Sequence, residues 1–181
     1  KGEQDRYIFG FEESYGYLSG GYVRDKDAVD ASMLICEMAA YYKKQGKTLV
    51  DVLSGLYEKY GMHLNTQASF TCEGASGMER MREIMEDLRK NAPDEICGKK
   101  VLGMSDYQAS VKRSAAGRQP IHLPRSNVVE YGLEGDNVIV VRPSGTEPKI
   151  KVYFMVKGRS RTEAEALESQ LRARMTQLMG F

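Results

Sequence analysis

The clearest chemical signal in the sequence is a short polar run, residues 142–149, between two segments rich in β-branched residues. Arg142 offers a planar guanidinium that can bind two oxygens of a phosphate, and Ser144 and Thr146 add hydroxyl donors. Gly145 would let backbone N–H groups approach an anion closely. The pattern predicts either a tight phosphate-binding loop between two strands or an ordinary hairpin turn with a surface arginine.

A second polar segment, residues 10–17, combines carboxylates, a hydroxyl and aromatic rings without helical or strand periodicity. Glu12 and Ser14 stand two positions apart, so together they could accept and donate hydrogen bonds to neighbouring hydroxyls of a sugar. A solvated surface turn would contain the same residues. The β-prone residues 7–9 just before this segment predict a strand that Gly10 ends.

Charged residues alternate in sign shortly downstream. Lys26 stands between Asp25 and Asp27, and it is a candidate general acid or base. Two adjacent carboxylates keep a lysine protonated, so action as a base would need desolvation or a nearby cation to lower its pKa. The alternative is a helix start that Asp27 caps, with Lys26 as a solvated charge.

Composition and charge exclude several classes of protein. The chain has 181 residues and a net charge of +1, so it has no long-range field to draw it onto nucleic acid or a membrane. Its three cysteines show no CxxC spacing, which argues against a zinc site or a disulfide framework and favours a reducing cytoplasm. No apolar run approaches the length of a membrane span, and the first residues are too polar for a signal peptide. The chain lacks an initiator methionine, so we expect a longer parent.

The elements that must position these residues follow from hydrophobic periodicity and cap residues. Apolar residues at helical spacing predict an inward-facing helix from Ala28 to near Gly46, which Asp27 is placed to cap. They also predict a second helix that begins with a capping box at Thr48 and ends at Gly61. Alternation of apolar and polar residues predicts a strand over residues 64–70, and a capping box at Ser76 predicts the start of the next helix. We expect further strands over residues 100–104, 128–131, 137–142 and 149–157, a last helix from Thr162, and a long mobile loop over residues 106–125.

This order of elements predicts an α+β fold. Short turns join the later strands, so the larger part should be an antiparallel sheet of four to five strands with helices on one face. The leading strand and two helices are typical of the tail end of an α/β domain. We place the domain boundary between the two parts, giving domains of residues 1–61 and 62–181.

The run Arg-Pro-Ser-Gly-Thr-Glu-Pro-Lys is similar to the phosphate-binding loop in the last domain of α-D-phosphohexomutases, the phosphoglucomutase/phosphomannomutase family. The resemblance implies a TATA-binding-protein-like last domain. It implies that five residues of this loop hold a sugar phosphate: Arg142, Ser144, Gly145, Thr146 and Lys149. Family members often have arginine where this chain has Lys151, which would offer phosphate a point charge and no planar fork.

The segment around Glu12 and Ser14 resembles the family's sugar-binding loop, with both residues at positions that contact the sugar. The segment that follows is similar to one in phosphoglucomutase-type members, which implies a sugar-binding role for Arg24 and a general acid or base role for Lys26. Many relatives have a histidine shortly after the serine, whereas this chain has Tyr15-Gly16-Tyr17. Histidine-based proton transfer is therefore not expected here.

The resemblance implies that the parent protein is an isomerase. Family members move a phosphoryl group between C1 and C6 of a hexose, through a phosphoserine, a hexose bisphosphate intermediate and a bound Mg²⁺ held by an aspartate-rich loop. Neither the serine segment nor the metal loop occurs in this chain. We therefore expect no metal ligands here, a dependence on the missing N-terminal domains of the same chain, and no catalysis by this part alone.

Other readings of the sequence stay open. A phosphopentomutase or a hexose-bisphosphate synthase of the same fold would carry the same loops, and so would a non-catalytic phosphosugar-binding module. The sugar-binding segment does not distinguish glucose, mannose and pentose substrates.

Overall fold

The computed structural model describes residues 6–12 and 15–181. The chain divides into two compact units, Lys1–Lys59 and Tyr60–Phe181. Ser14, one of the predicted sugar-binding residues, lies outside the described residues. Within the described ranges, every helix is too short or too polar to cross a lipid bilayer.

The first unit begins with a small β-hairpin. Strand β1 (Gly10–Phe11) pairs antiparallel with strand β2 (Tyr17–Leu18), and Gly10 lies opposite Leu18. The expectation of a strand over residues 7–9 that ends at Gly10 is wrong, because backbone pairing starts at Gly10. Tyr7 contacts β2 through its side chain instead, since its hydroxyl donates to the Leu18 carbonyl at 3.2 Å.

Two helices follow the hairpin, α1 (Ala28–Lys43) and α2 (Leu49–Tyr60). Asp27 caps α1, since its carboxylate accepts hydrogen bonds from the amides of Val29 and Asp30, both at 3.0 Å. At the start of α2, Thr48 and Asp51 form the reciprocal bonds of a capping box. The predicted helix starts are therefore confirmed.

The prediction that α1 and α2 turn their apolar faces inward is wrong for the described residues, since neither helix contains a buried residue. Ile35 and Met38, on the apolar stripe of α1, are 46% and 42% exposed, and Leu56 of α2 is 47% exposed. The stripe has helical spacing, but the described part of this unit contains no layer of sheet or helix that covers it.

The second unit contains an eight-stranded sheet in the order β3-β10-β9-β8-β5-β6-β7, with β4 paired to β5. All neighbouring strands are antiparallel. The strands are β3 (Met62–Thr71), β4 (Glu95–Ile96), β5 (Lys99–Asp106), β6 (Val111–Ser114), β7 (Gly117–Pro120), β8 (Val129–Leu133), β9 (Asn137–Pro143) and β10 (Lys149–Gly158). The predicted α+β fold with an antiparallel sheet is confirmed.

Helices α3 (Gly77–Lys90) and α4 (Arg161–Leu178) pack against the sheet. Phe154, Ile139 and Tyr131 lie side by side on β10, β9 and β8, and all three are fully buried. The hydroxyl of Tyr131 donates to the carbonyl of Leu88 in α3, and the guanidinium of Arg172 in α4 lies over the ring of Phe154. Both helices therefore cover the same face of the sheet.

The expectation of a long mobile loop over residues 106–125 is wrong. Strands β6 and β7 form a hairpin in this segment, and β6 pairs with β5. This hairpin and the short β4 raise the number of strands above the expected four to five. Gly117, with φ +98°, takes the left-handed conformation that the tight turn requires, and Pro120 lies on an edge strand, where proline is tolerated.

Helix α3 starts without the capping box predicted at Ser76. The Ser76 backbone, at φ −88° and ψ 5°, is not extended as a capping residue's is, and its side chain accepts no hydrogen bond from the helix. The first turn is held by backbone bonds instead, from the Gly77 amide to Gly74 and from the Glu79 amide to Ser76.

Candidate functional site

The predicted phosphate-binding loop connects β9 to β10. Arg142 is exposed between the buried residues Val141 and Pro143, so its side chain leaves the sheet on the face without helices. Lys151 lies directly opposite Arg142 on β10, and Lys149 projects to the same side because it is two residues from Lys151. Three cations therefore share one end of the helix-free face.

The side chain of Ser144 organises the turn from inside. Its hydroxyl oxygen accepts hydrogen bonds from the amides of Thr146 at 3.4 Å and Glu147 at 3.2 Å. The Ser144 amide donates to the Lys149 carbonyl at 2.7 Å and closes the loop. Both bonds to the hydroxyl are long, so an anion with stronger acceptor oxygens could take over those two amides.

Gly145 and Thr146 form the exposed tip of the loop. A Cβ atom built on Gly145 meets no other atom within 4 Å, so the fold itself leaves this position open. The sequence prediction brings together Arg142, Ser144, Gly145, Thr146 and Lys149, and the structure places all five within this one loop and its strand ends.

The back of the loop is fixed by a segment far away in the sequence. The amide of Cys72 donates to the carbonyl of Pro148 at 2.8 Å, directly after β3 ends. Gly77 packs into the same corner: a Cβ there would lie 2.1 Å from the Cys72 carbonyl oxygen and 3.0 Å from the Cβ of Pro148. These residues were not predicted, because the sequence pattern gives no sign of a contact between positions 72 and 148.

Glu147 brings a negative charge to the loop. Its carboxylate lies 3.3 Å from the ammonium of Lys149, and both side chains are partly exposed. A pair in this setting contributes little to stability, so Lys149 can exchange Glu147 for another anion at low cost. Arg142 and Lys151 keep the net charge around the loop positive.

The neighbouring strand β3 adds two hydroxyls that sequence reasoning missed. Ser69 lies opposite Lys151, and Thr71 lies opposite Lys149. Both are exposed on the same side as the cations, since β3 alternates between partly covered and exposed residues. The alternation was visible in the sequence, but only the pairing of β3 with β10 shows that these hydroxyls face the loop.

In the first unit, Glu12 lies at the start of the turn that joins β1 to β2, and its amide donates to the Gly16 carbonyl at 2.8 Å. The ammonium of Lys26 lies 3.3 Å from the Glu12 carboxylate and 2.9 Å from that of Asp25. Hydrogen bonds and charge from Asp25, and then from Glu12, raise the pKa of Lys26 above its ordinary value. Lys26 is thus protonated at neutral pH. Arg24 is exposed in the bend before α1.

An apolar groove of about 670 Å³ lies beside the hairpin, along α1. The rings of Phe9, Phe11 and Tyr17 cluster at centroid distances of 6.2 to 6.5 Å, and Phe9 and Tyr17 line the groove. Apart from the hydroxyls of Tyr15, Tyr17 and Ser32, its lining side chains are apolar. This composition suits a protein surface better than a sugar, which needs several polar partners.

The residues that the structure describes include no group of three or more His, Cys, Asp or Glu side chains placed to hold a metal ion. They therefore do not fit the Mg²⁺ that the family resemblance implies.

Comparisons with known proteins cover both units. Residues 75–174 match the profile described as "Phosphoglucomutase/phosphomannomutase, C-terminal domain". Residues 1–60 match the profile "Phosphoglucomutase/phosphomannomutase, alpha/beta/alpha domain III".

Among curated proteins, the chain is 43% identical over 157 residues to a phosphoglucomutase of Staphylococcus aureus (strain bovine RF122 / ET3-1), covering 86% of this chain and 28% of that protein. It is 38% identical over 155 residues to one of Staphylococcus haemolyticus (strain JCSC1435), covering 84% of this chain and 28% of that protein. The chain thus spans about 28% of the length of these relatives.

Among solved structures, the fold is similar to that of the phosphoglucomutase pp63/parafusin from Paramecium in its open form, with a TM-score of 0.60 and 16% identity. The match covers 96% of this chain and 31% of that one. At this identity the likeness concerns the fold alone.

Proposed function

Because the chain belongs to the phosphoglucomutase/phosphomannomutase family, we propose that it is the substrate-orienting C-terminal part of a longer isomerase that interconverts hexose 1-phosphate and hexose 6-phosphate. The observation that carries the proposal is the alignment of Arg142, Lys149 and Lys151 on one side of the loop that contains Ser144 and Thr146. Glucose is the proposed hexose, since the curated relatives are phosphoglucomutases.

The loop suits a phosphate that is held but not transferred. A dianion would accept two hydrogen bonds from the Arg142 guanidinium and a charge-assisted bond from Lys151. The amides that now donate weakly to Ser144 could turn to phosphate oxygens, and the Ser144 hydroxyl would then be free to donate as well. Phosphate binding would rely on local charges and short contacts, because the net charge of the whole chain, only +1, provides no long-range attraction.

In this proposal the two units divide the work of orienting the substrate. The hairpin residues Glu12 and Ser14, together with Arg24, bind sugar hydroxyls, and the loop around Arg142 binds the distal phosphate. A hexose bisphosphate intermediate must be accepted in two orientations, and a loop that recognises mainly charge can accept either phosphate. Such positioning lowers the entropic cost of the transfer step.

The transfer chemistry is assigned to the rest of the longer chain. There, a phosphoserine would donate the phosphoryl group, and Mg²⁺ would neutralise charge that develops on it. The exposed apolar groove along α1 supports this division, because Leu34, Ile35 and Met38 need a covering layer to complete an α/β/α domain. The preceding part of the same domain in the longer chain would supply it, and we expect this part alone to be inactive.

The expected compartment is a reducing cytoplasm, in line with the three free thiols of Cys36, Cys72 and Cys97.

The proposal is tested by replacing Arg142 with alanine in the full-length enzyme that carries these residues. Hydrogen bonds to charged groups contribute about 1.5–3 kcal/mol, so the KM for glucose 1-phosphate should rise about 10- to 150-fold. Arg142→Lys keeps the charge but loses the planar fork, and should fall between wild type and Arg142→Ala. Arg113→Ala, an exposed arginine on β6, is the matched control. Unchanged steady-state kinetics for Arg142→Ala would refute the proposed role of the loop.

Calorimetric titration of the 181-residue chain with glucose 1-phosphate separates this proposal from a non-catalytic phosphosugar-binding module. Half of a divided site should bind only weakly, whereas a self-sufficient module should bind at micromolar concentration. Activity of the full-length enzyme on ribose 1-phosphate in place of glucose 1-phosphate would favour the phosphopentomutase alternative.

A further inference from the structure

We propose that Lys26 is a positioning residue that holds the Glu12 carboxylate in place against the sugar, and that it transfers no proton during the reaction. This inference rests on the proposed function, because Glu12 is the proposed sugar-binding carboxylate. It replaces the general acid or base role that the sequence predicts for Lys26.

The first argument is the clamp that Lys26 forms. Its ammonium contacts one oxygen of Glu12 at 3.3 Å and one oxygen of Asp25 at 2.9 Å. An ammonium has three donors, so two of them are already directed at carboxylates of the chain. These pairs are exposed to solvent, so they contribute little to stability by themselves. The lysine stem, which packs over Gly16, directs the ammonium at the Glu12 carboxylate.

The second argument is the path of the lysine side chain. It crosses the hairpin directly over Gly16, which is buried although its neighbours in the turn are exposed. A Cβ atom on Gly16 would lie 2.5 Å from Cγ and 2.8 Å from Cδ of Lys26. Position 16 therefore has room for the lysine stem only because it is glycine.

The third argument is that the backbone of Lys26 is anchored on the side of the helix. The amide of the next residue, Asp27, donates to the Tyr17 carbonyl in β2 at 2.7 Å. Asp27 also caps α1 through the amides of Val29 and Asp30. Lys26 thus extends from a backbone position that is bonded to both the hairpin and the helix, and its side chain spans from that position to Glu12.

The charge state of Lys26 agrees with this role. The carboxylates of Asp25 and Glu12 raise its pKa, so the ammonium persists throughout the neutral range. The described groups that face it are those two carboxylates, and the contacts give no neighbouring cation that would favour loss of the proton.

Arginine substitution distinguishes positioning from proton transfer. Lys26→Arg keeps a charged donor but cannot exchange a proton near neutral pH, so a positioning residue should retain kcat/KM within about fivefold. Loss of a general acid or base would lower kcat by about 10²- to 10⁴-fold. Lys26→Met, which keeps the stem and removes the charge, should raise the KM for glucose 1-phosphate about tenfold or more, because Glu12 loses its contact with the ammonium. Lys44→Met is the matched control, since Lys44 is an exposed lysine at the far end of α1.

Two further variants test the path of the Lys26 side chain and its contact with Glu12. Gly16→Ala should displace the lysine stem and reproduce the KM effect of Lys26→Met. The double variant Glu12→Gln/Lys26→Met should be no worse than the poorer single variant, because both changes remove the same contact. Circular dichroism on each variant checks that the fold is kept.

The outcomes are separable. A collapse of kcat in Lys26→Arg with unchanged KM, or fully additive losses in the double variant, would overturn the positioning role. If wild-type enzyme turns over no hexose phosphate, the proposed function fails instead. The clamp is then still tested by the NMR signal of the Lys26 side chain, which should shift in Glu12→Gln; no shift would overturn the clamp.

Discussion

Replacing Gly77 with alanine places a methyl carbon 2.1 Å from the backbone oxygen of Cys72 and 3.0 Å from the Cβ of Pro148. A backbone carbonyl oxygen cannot move away by side-chain rotation, so either α3 or the backbone at Cys72 must shift. Overpacking of this kind costs about 1–3 kcal/mol. Alanine recovers up to about 1 kcal/mol of that through its better helix propensity, which leaves a net loss.

The loss should appear as reduced resistance to denaturant. With an m value of about 2 kcal/mol per molar urea, a net loss of up to about 2 kcal/mol should lower the unfolding midpoint by up to roughly 1 M. The matched control is Gly145→Ala, where a Cβ meets nothing within 4 Å and φ is not positive. That variant should be as stable as wild type or slightly more so, because alanine restricts the unfolded chain.

Urea titrations of the 181-residue chain, followed by circular dichroism, measure both effects. The chain has no tryptophan, so the backbone signal is the appropriate probe. Equal midpoints for Gly77→Ala and Gly145→Ala would show that the corner formed by Cys72, Gly77 and Pro148 is not tightly packed, and would refute the account of how the loop is supported.

Three other predictions concern stability. Tyr131→Phe should lower the free energy of unfolding by about 1–3 kcal/mol, measured by urea titration, because the buried Leu88 carbonyl loses its donor at 2.6 Å. Ser160→Ala should cost about 1 kcal/mol in the same assay, since the Ser160 hydroxyl caps α4 by accepting from its first turn at 3.2 Å. The hydrogen bond and charge of Lys157 lower the pKa of Asp136 below its ordinary value of 3.8. This pair should therefore stabilise the fold at pH values above 3.8, and the stabilisation should be lost as the pH falls through the lowered pKa. Asp136→Asn, which also tolerates the left-handed backbone there, should abolish that part of the acid sensitivity in thermal melts between pH 2 and pH 7; an unchanged profile would contradict it.

Much of the fold follows from local patterns in the sequence. The starts of α1 and α2 follow from Asp27 and Thr48, whose side chains form the expected caps. Strand β3 follows from alternation alone, and its ten residues pair with β10 without a break. In each case neighbouring residues determine the outcome, so a short window of sequence is sufficient.

Where the sequence reading failed, distant contacts decide the structure. Gly117 and Pro120 usually mark irregular chain, so the sequence predicts a loop where the β6–β7 hairpin lies. Only the pairing of β7 with β6, and of β6 with β5, shows that both residues belong to an edge strand. The sequence also predicts that the apolar stripe of α1 is buried, but in the described part of the chain this helix contains no buried residue.

The candidate site divides in the same way. The octapeptide and its resemblance to a known loop predict which residues could bind phosphate, with Arg142 first among them. They do not predict the role of the Ser144 oxygen as an acceptor within the turn, because a hydroxyl can both donate and accept, and geometry selects between the two.

The hydrogen bond from Cys72 to Pro148 has a consequence for engineering. Transplanting the eight residues from Arg142 to Lys149 into another hairpin would move the chemical groups but leave behind the strand end that sets their shape. A working graft needs a donor amide at the position of Cys72 as well, so the smallest portable unit is a three-stranded piece built from β3, β9 and β10.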